Sequence, residues 1–491
     1  MNIVWVSSEA VPYAKTGGLA DVSGALPEAL AARGHKVDVI LPWYPQVTGK
    51  LKLKFDSFTG PLGVPFGEKH TEWAQIRTLN AKENLRFHFI EFDRFFDRPK
   101  LYDWNGVEYG DNAQRFIFFS RAAMQAILAL HLSPDVIHAN DWHAALCCVY
   151  LRSDLYNGYE NFRNARSILS IHNIGYQGVF NKENLYWTGL GWSYFHYNCM
   201  EYYDQLNFLK AGVMTAHMVN AVSPTYAQEI LSAEYGFGLD PALQNCAFSG
   251  RLRGILNGID VHEWDPAHDK LLPATFSADN ISGKNVCRKK LQEYFHLPVR
   301  ADVPLFATIS RLAYQKGLDV QAAALTKLLE AGEDLQFVVV GSGDPGLENW
   351  YAHLQERFPG KLAFYRGYAP DSLSHLVEAG ADFFAMPSRY EPCGLNQMYS
   401  MRYGTLPIVR STGGLADTVT NFNYQNSDSA TGFVFYDLNA EALANTMRWA
   451  AAVRRDEQAA FDAMRRNAMM RDFSWNNTAS QYERMYEDAH R

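Results

Sequence analysis

The sequence has few cysteines, no long apolar run and no leader-like start, and each of these absences excludes a class of protein. Six cysteines among 491 residues form no Cys-x-x-Cys pair, which argues against a disulfide framework and indicates reduced thiols. No apolar run approaches the ~20 residues that a membrane-spanning helix needs. The amino terminus begins at once with a strand-like segment, residues 2–7, rather than a charged leader. We therefore expect a cytoplasmic protein with no membrane partner.

The charged residues point away from nucleic acid and from metal chemistry. The formal net charge is −8 and the lysines and arginines form no block, so the electrostatic footprint of a nucleic-acid-binding protein is missing. No persuasive Asp-x-Asp metal motif occurs, and His138 and His143 beside Asp141 match no established zinc spacing. We expect neither a metal nor a cofactor.

Short apolar runs alternate with helical patterns along the whole chain. Strand-like runs occur at residues 3–6, 36–41, 85–89, 136–139 and 167–171, and the rhythm restarts at 305–310, 335–340, 362–365 and 382–386. This βαβ pattern predicts parallel sheets covered by helices on both faces. We expect an α/β fold of two doubly wound, Rossmann-like domains, with the changeover near residues 249–253.

The most informative stretch is residues 388–417, which follows a predicted buried strand. It places Glu391, Cys393 and Gly394 in a loop that leads into a predicted helix, residues 397–403. A second strand then runs into Thr412, Gly413 and Gly414, where glycines let backbone N–H groups turn toward an anion. A carboxylate for sugar hydroxyls and amides for a phosphate together suggest a sugar held by its phosphate.

The same motif occurs near the amino terminus. Residues 15–22, Lys-Thr-Gly-Gly-Leu-Ala-Asp-Val, repeat almost letter for letter residues 411–418, Ser-Thr-Gly-Gly-Leu-Ala-Asp-Thr. With the Glu-Pro-Cys-Gly-Leu motif that starts at Glu391, these motifs resemble those of the bacterial glycogen synthases and plant starch synthases over essentially the whole chain. The resemblance implies the GT-B glycosyltransferase fold, in which two Rossmann-like domains face a deep cleft.

The resemblance also implies a domain plan and an activity. Residues 1–250 would form the amino-terminal starch-synthase domain on the acceptor side, 251–458 the nucleotide-sugar domain, and 459–491 a helix packed back on the first domain. The implied reaction is retaining transfer of glucose from ADP-glucose to the non-reducing end of glycogen or another α-1,4-glucan, with release of ADP. The enzyme would be a retaining hexosyltransferase of glycogen biosynthesis.

Site residues carry over motif by motif. Arg311 and Lys316 follow a predicted strand, and their equivalents in the family bind the donor diphosphate. Glu391 would lie against the glucose hydroxyls, and the position eight residues later, Glu in many retaining enzymes, is Tyr399 here. The donor-binding residues implied are Lys15, Gly17, Gly18, Asp21, Arg311, Lys316, Tyr368, Glu391, Cys393, Gly394, Thr412, Gly413 and Gly414.

Asp141 and His172 each follow a predicted strand of the first domain, and the resemblance places both at the donor sugar. With Glu391, Arg311 and Lys316 they make up the predicted catalytic set. Retention would then follow from attack on the same face as departure, with the departing phosphate accepting the acceptor's proton. A double displacement with Asp141 or Glu391 as nucleophile stays open from the residues alone.

Residues 341–346 contain a formal Gly-x-Gly-x-x-Gly, but no acidic residue ends the next strand, so a dinucleotide site is not indicated. Tyr368 stands near that strand end and is the candidate for stacking on the nucleotide base. The aromatic-rich segment 176–208 could contain a glucan track, although at this density many rings must be core.

Three other functions stay open from the sequence. The donor could be UDP-glucose, because base choice depends on side-chain orientation. The chain could be a glucan phosphorylase, which would need pyridoxal phosphate, or a non-catalytic α-glucan-binding protein. The last alternative would not require Arg311, Lys316 and Glu391 together with both glycine loops.

Overall fold

The computed structural model describes residues 1–491, which form two compact units. Unit 1 comprises Met1–Gly258 and Trp475–Arg491, and unit 2 comprises Ile259–Ser474. No helix combines the length and the apolarity needed to cross a bilayer. Each unit is built on its own sheet.

Unit 1 is organised around a nine-stranded sheet with the order β14-β13-β9-β8-β1-β2-β5-β4-β3. The seven strands from β14 to β5 run parallel, and β4 and β3 extend the sheet in antiparallel fashion. The strands of the unit are β1 Asn2–Val6, β2 Lys36–Pro42, β3 Ser57–Pro65, β4 Thr71–Lys82, β5 Leu85–Glu91, β6 Asp103–Trp104, β7 Val107–Glu108, β8 Val136–Asn140, β9 Arg166–Ile171, β10 Val179–Asn181, β11 Glu201–Tyr202, β12 Gln205–Asn207, β13 Met218–Ala221 and β14 Leu252–Gly254.

Helices cover the parallel part of this sheet, whose strands are buried along most of their length. They are α1 Gly18–Ala32, α2 Asp93–Phe96, α3 Asn112–Ala129, α4 Asp141–Ala144, α5 Leu146–Arg152, α6 Leu185–Thr188, α7 Phe208–Thr215, α8 Pro224–Glu229 and α9 Asp240–Phe248. α1 begins at Gly18, within the Thr-Gly-Gly motif, and carries Pro27 inside it.

Unit 2 contains a six-stranded, fully parallel sheet with the order β17-β16-β15-β18-β19-β20. This is the order of a doubly wound Rossmann sheet. Its strands are β15 Leu305–Ile309, β16 Gln336–Gly341, β17 Leu362–Arg366, β18 Phe383–Met386, β19 Leu406–Arg410 and β20 Phe433–Phe435. Its helices are α10 Ser282–Tyr294, α11 Leu318–Glu330, α12 Pro345–Arg357, α13 Asp371–Gly380, α14 Asn396–Arg402, α15 Gly413–Thr418, α16 Ala440–Asp456 and α17 Gln458–Met470. The predicted α/β class with doubly wound sheets is confirmed.

The limits of the units differ from the domain limits expected from the sequence, 250/251 and 458/459. Leu252–Gly254 pair with β13 as the edge strand of the first sheet, so the chain leaves unit 1 only after Gly258. At the other end, α17 stays in unit 2, where Phe461 packs edge-on against Phe383 with ring centroids 5.6 Å apart. The chain re-enters unit 1 at Trp475.

The last helix, α18 Trp475–His490, completes the core of unit 1. Trp475, Tyr482 and Tyr486 are buried there, and burial of such rings is the main source of packing free energy. The two tyrosines also satisfy buried polar groups of the sheet: Tyr486 shares a hydrogen bond of 2.8 Å with His138, and Asn220 donates to the Tyr482 hydroxyl at 2.8 Å. Loss of α18 would therefore expose both apolar surface and unpaired polar atoms.

In each sheet, the direction of strand addition reverses at one point. The reversal lies between β1 and β8 in unit 1 and between β15 and β18 in unit 2. Ligands of open α/β sheets bind outside the carboxyl ends of the strands at such a switch point. These ends are where the chain places Glu9 and Asp141 in unit 1, and Arg311 and Glu391 in unit 2.

Candidate functional site

In unit 2, the switch point brings together two motifs that lie 75 residues apart in the chain. Lys316 belongs to the 3₁₀ turn Tyr314–Lys316 after β15, and Glu391 belongs to the loop after β18. The Lys316 ammonium lies 2.6 Å from Oε2 of Glu391, and the Ser388 hydroxyl donates to the same oxygen at 2.9 Å. Glu391 is only 4% exposed, so the carboxylate is held by both partners in a place where water screens it little.

One further predicted donor residue, Arg311, lies in the same loop as Lys316. Arg311 is exposed immediately beyond β15 and begins the loop that carries Lys316. Gly317 follows Lys316 with φ +65°, and a Cβ there would overlap the Pro387 carbonyl oxygen. Only glycine lets the two loops approach so closely, and this close approach keeps both cations at the end of the sheet.

The Thr-Gly-Gly loop of unit 2 packs directly on the Glu391 loop. Gly413 has φ +44°, and a Cβ on it would overlap the Glu391 carbonyl oxygen; a Cβ on Gly414 would overlap that of Cys393. The Gly414 N–H donates to the Glu391 carbonyl at 3.1 Å. This amide is therefore committed to positioning Glu391, a use that the sequence did not reveal. Thr412 is the buried residue that precedes α15.

The remaining part of the motif is held by the start of α14. Cys393 is buried, and its carbonyl accepts a hydrogen bond of 3.1 Å from the Gln397 side chain. Gly394 has φ +71° and its carbonyl accepts from the same amide at 3.0 Å. These contacts fix the path of the chain between Glu391 and α14.

The Gly-x-Gly-x-x-Gly segment after β16 also packs tightly and keeps its amides within the protein. Gly343 donates its N–H to Glu348 at 2.9 Å, and Asp344 donates its N–H to the Leu312 carbonyl at 2.7 Å. A Cβ on Gly343 would overlap that same Leu312 carbonyl. The absence of a side chain at Gly343 thus lets this segment pack against Leu312 in the loop that contains Arg311. Tyr368, beyond the neighbouring β17, is 83% exposed and presents a free aromatic face.

In unit 1, Asp141 is the most constrained of the predicted residues. It follows β8 with φ +51°, an uncommon conformation for a residue other than glycine and one that often occurs at functional sites. Its carboxylate accepts the His172 N–H at 2.7 Å and also the Asn173 N–H. Burial raises the pKa of Asp141 to about 7, against the lowering effect of these two amides. Asp141 therefore shapes the backbone of the His172 loop.

His172 is held as a neutral imidazole. Burial lowers its pKa to about 3, and its Nε2 lies 3.0 Å from Oδ1 of Asn140. The Asn140 amide nitrogen donates to the Val6 carbonyl at 3.1 Å, which turns Oδ1 toward His172. His172 Nε2 is therefore the protonated nitrogen and donates to Asn140.

The first Thr-Gly-Gly loop is exposed, and a carboxylate lies beneath it. Thr16 and Gly17 donate their N–H groups to Oε2 of Glu9 at 2.5 and 3.1 Å, and the Tyr102 hydroxyl donates to Oε1 at 2.6 Å. Burial raises the pKa of Glu9 despite these donors. Glu9 and Tyr102 were missed by the sequence reasoning, although Glu9 follows β1 at the switch point, which is a signal that could have found it.

Lys15 and Asp21 of the same motif form an ion pair with an N–O distance of 2.7 Å. Burial raises the pKa of Asp21, and the Lys15 charge opposes that rise. The Lys15 side chain is 46% exposed, so this pair is the kind that an incoming anion can compete with at little cost. Gly17 and Gly18 are exposed beside it.

Two further observations concern possible metal ligands and the aromatic residues on the surface. No group of three His, Cys, Asp or Glu side chains that could hold a metal ion occurs in residues 1–491. Of the aromatic residues in 176–208, several are buried or half-buried, and a set lies on the surface: Tyr176, Tyr186, Trp192, Tyr197 and Tyr203.

Comparison with known proteins agrees with both the fold and the motifs. Residues 2–245 match the family described as starch synthase catalytic domain, and residues 292–466 match glycosyl transferases group 1. The chain is 45% identical to the glycogen synthase of Anaeromyxobacter sp. (strain Fw109-5) and 44% identical to that of Myxococcus xanthus (strain DK1622), in each case over 99% of both chains.

Solved structures give the same picture. The catalytic domain of starch synthase IV from Arabidopsis thaliana, bound to ADP and acarbose, is similar with a TM-score of 0.88 and 32% identity, covering 100% of this chain and 99% of that one. Sucrose-phosphate synthase from Thermosynechococcus elongatus shares the fold, with a TM-score of 0.60 and 19% identity over 99% of this chain and 98% of that one.

Proposed function

The chain belongs to the glycogen synthase family of glycosyltransferases, and we propose that it transfers glucose from ADP-glucose to the non-reducing end of an α-1,4-glucan with retention. ADP is the second product. The similar starch synthase IV was solved bound to ADP, which supports an adenine nucleotide as donor. The observation that carries the proposal is the contact of Lys316 with Glu391 at the switch point of unit 2.

Lys316 and Arg311 supply the charge that the reaction needs. As the bond between the anomeric carbon and the diphosphate breaks, negative charge grows on the departing oxygens, and charge-assisted hydrogen bonds stabilise it. The Lys316 ammonium lies 2.6 Å from Oε2 of Glu391, so the residue proposed to bind the phosphate is next to the residue proposed to bind the sugar. Lys15, Gly17 and Gly18 of unit 1 are proposed to bind a donor phosphate. Thr412, Gly413 and Gly414 act by holding the Glu391 loop.

Glu391 would bind the glucose hydroxyls, and Tyr368 would stack on the base. Cys393 and Gly394 complete the wall behind the sugar. Asp141 and Asp21 act on the other part of the donor: Asp141 orients the His172 loop at the sugar, and Asp21 holds Lys15 until the phosphate arrives. The contacts of Asp141, Asp21 and Glu391 within their own units support the roles proposed for these three residues.

We propose a same-face reaction. The acceptor hydroxyl forms a bond to the anomeric carbon, the bond from that carbon to the diphosphate oxygen breaks, and the acceptor's proton passes to the departing phosphate. A double displacement would need a carboxylate that is free to attack. Asp141 already accepts two backbone N–H groups, and Glu391 is bound by Lys316 and Ser388. These contacts favour the same-face route; a trapped covalent glucosyl-enzyme on either carboxylate would overturn it.

The test is release of nucleoside diphosphate from purified protein given glycogen, with ADP-glucose and UDP-glucose compared in parallel. We expect turnover with ADP-glucose and a loss of roughly 10²–10³-fold in kcat for Glu391→Ala, because it removes a polar contact made at the reacting sugar. Glu441→Ala is the matched control, since Glu441 pairs with Lys327 at 2.8 Å in the same unit but on the exposed surface.

Each alternative function predicts a different experimental result. A preference for UDP-glucose would correct the donor and leave the site intact. A phosphorylase would show the absorbance of pyridoxal phosphate. Glycogen binding without nucleotide release would make the chain a non-catalytic α-glucan-binding protein. A cytoplasmic location stays a prediction.

A further inference from the structure

Arg389 joins the two loops of the donor site in unit 2, although no motif singled it out. Its guanidinium makes two parallel hydrogen bonds of 2.7 Å to the Asp319 carboxylate, and one of its nitrogens donates to the Tyr314 carbonyl at 2.8 Å. The guanidinium carbon also lies 3.9 Å from the centre of the Tyr314 ring. One side chain thus holds both ends of the turn that contains Lys316.

The backbone of Arg389 adds to this connection. Its N–H donates to the Gln315 carbonyl at 2.8 Å, and its own carbonyl accepts from Arg410 at 2.6 Å. The Gln315 side chain donates in return to the Tyr390 carbonyl at 3.3 Å. The 3₁₀ turn that ends at Lys316 and the loop before Glu391 are therefore hydrogen-bonded to each other next to the Lys316 to Glu391 ion pair.

We propose that Arg389 is a positioning residue of the donor site, which fixes the Lys316 turn against the Glu391 loop so that the ammonium stays where the diphosphate must bind. This inference rests on the proposed function of Lys316 and Glu391. The contacts of Arg389 are to protein groups of the two loops, and in this proposal it acts on the reaction through Lys316.

The chemistry of the contacts explains why arginine is needed there. A planar guanidinium can bind a carboxylate with two parallel bonds and stack on a ring at the same time, whereas a lysine ammonium offers a point charge. The Arg389 side chain is 15% exposed and the Asp319 side chain 42%, so the pair is partly shielded from solvent. Lysine at this position would keep the positive charge but could not make the two parallel hydrogen bonds to Asp319. Arg389→Lys therefore separates the contribution of the charge from that of the paired hydrogen bonds.

The experiment measures KM for ADP-glucose and kcat at saturating glycogen for the wild type, Arg389→Lys, Arg389→Ala, Lys316→Ala and the double variant Lys316→Ala/Arg389→Ala. We expect Arg389→Ala to raise the donor KM roughly ten- to hundredfold and Arg389→Lys to fall between it and the wild type, because small misplacements of a binding group cost this much. The KM for glycogen should not change.

The double variant is the decisive comparison. If Arg389 acts through Lys316, removing it from protein that already lacks Lys316 should change the donor KM less than twofold, since residues that act as a unit are not additive. Full additivity would overturn the proposal, as would a wild-type donor KM in Arg389→Ala. Arg448→Ala is the control, because Arg448 pairs with Glu333 at 2.9 Å elsewhere in unit 2.

A second measurement separates this inference from the proposed function. Hydrogen exchange reports on the amides of Lys316 and Gly317, which are bonded to the Ala313 and Tyr314 carbonyls. Arg389→Ala should speed their exchange at least tenfold, and Arg448→Ala should not. If the wild type failed to use ADP-glucose, the proposed function would be wrong, while unchanged exchange in Arg389→Ala would remove the positioning role itself.

Discussion

The two Thr-Gly-Gly loops share six consecutive residue types and are placed in opposite environments. Gly17 and Gly413 occupy the same place in the motif. Gly17 has φ −150° and open space around it, so any residue could adopt its conformation. Gly413 has φ +44° and touches the Glu391 carbonyl. A shared motif therefore does not imply a shared reason for glycine.

The amides of the two loops are also used differently. In the first loop, Thr16 and Gly17 donate to the Glu9 side chain, which leaves the loop exposed above a buried carboxylate. In the second, Gly414 donates to the backbone of the residue that holds the sugar in our proposal. The second loop positions a neighbouring loop, and the first presents Lys15 to solvent. Substitutions in the second loop should affect the position of the Glu391 loop, and substitutions in the first loop should affect the exposed segment that carries Lys15.

The largest effect is expected for Gly413→Ala. A side chain there must adopt a left-handed backbone, which costs about 1–2 kcal/mol, and must push away the Glu391 carbonyl, which costs about 1–3 kcal/mol more. We predict that the free energy of unfolding of unit 2 falls by about 2–5 kcal/mol and that kcat falls at least hundredfold. Denaturant titration measures the free energy of unfolding, and the rate of ADP release measures kcat. Wild-type stability would show that the loops are not in close contact.

The next effect concerns pH and depends on the buried carboxyl of Asp141 in unit 1. Burial raises the pKa of Asp141 from 3.8 to about 7. The folded state then binds the proton more tightly than the unfolded chain. The stabilisation is complete below pH about 4 and is lost as the pH rises through about 7.

Asp141→Asn removes that titration. At 1.36 kcal/mol per pKa unit, the wild type should lose roughly 2–4 kcal/mol between pH 4 and pH 7 that the variant does not lose. Thermal unfolding across this range measures the difference. Asp154→Asn, at an exposed aspartate of unit 1, is the control. Parallel curves for Asp141→Asn and the wild type would contradict the buried position of this carboxyl.

A smaller effect is expected for Glu9→Ala, which removes the acceptor of two amides. The Thr16 and Gly17 N–H groups should exchange faster, and the free energy of unfolding should fall by about 1–3 kcal/mol. Glu9→Gln keeps one oxygen that can accept from these amides. Its exchange rates at Thr16 and Gly17 and its free energy of unfolding should therefore be close to those of the wild type. If both variants had wild-type exchange rates at Thr16 and Gly17, Glu9 would not hold the loop.

The smallest effect on stability is expected for Gly17→Ala. Its backbone conformation suits alanine and no atom lies within 4 Å of the added Cβ. The free energy of unfolding should stay the same or rise by up to about 1 kcal/mol, because alanine restricts the unfolded chain. A loss as large as that of Gly413→Ala would mean that the two loops are equivalent after all.

The sequence predicted the fold class and the motif families because both depend on local patterns. Buried strands such as β16 and β18 are almost continuous apolar runs. The placement of Asp141 and His172 at one site came from the resemblance to the synthases and not from a local pattern. The antiparallel strands β3 and β4 were not predicted, since Ser57–Pro65 and Thr71–Lys82 are partly exposed and contain polar residues and glycines.

The parts of the site that the sequence could not provide are contacts across long separations. Arg389 meets Asp319 and Tyr314 only after the sheet has formed, and Glu9 meets Thr16 only through the turn after β1. Side-chain pairs of this kind carry no local periodicity. The roles of the predicted site residues stay predictions, although the structure brings Lys316 to Glu391 and Asp141 to His172.

The most direct test of the account is the KM for ADP-glucose of Gly17→Val, measured beside Gly158→Val. Both glycines belong to unit 1, are exposed, and have no atom within 4 Å of an added Cβ. If the first loop exists to meet the donor phosphates, Gly17→Val should raise the donor KM at least tenfold without lowering the melting temperature, and Gly158→Val should leave it unchanged. An equal donor KM in the two variants would contradict the account.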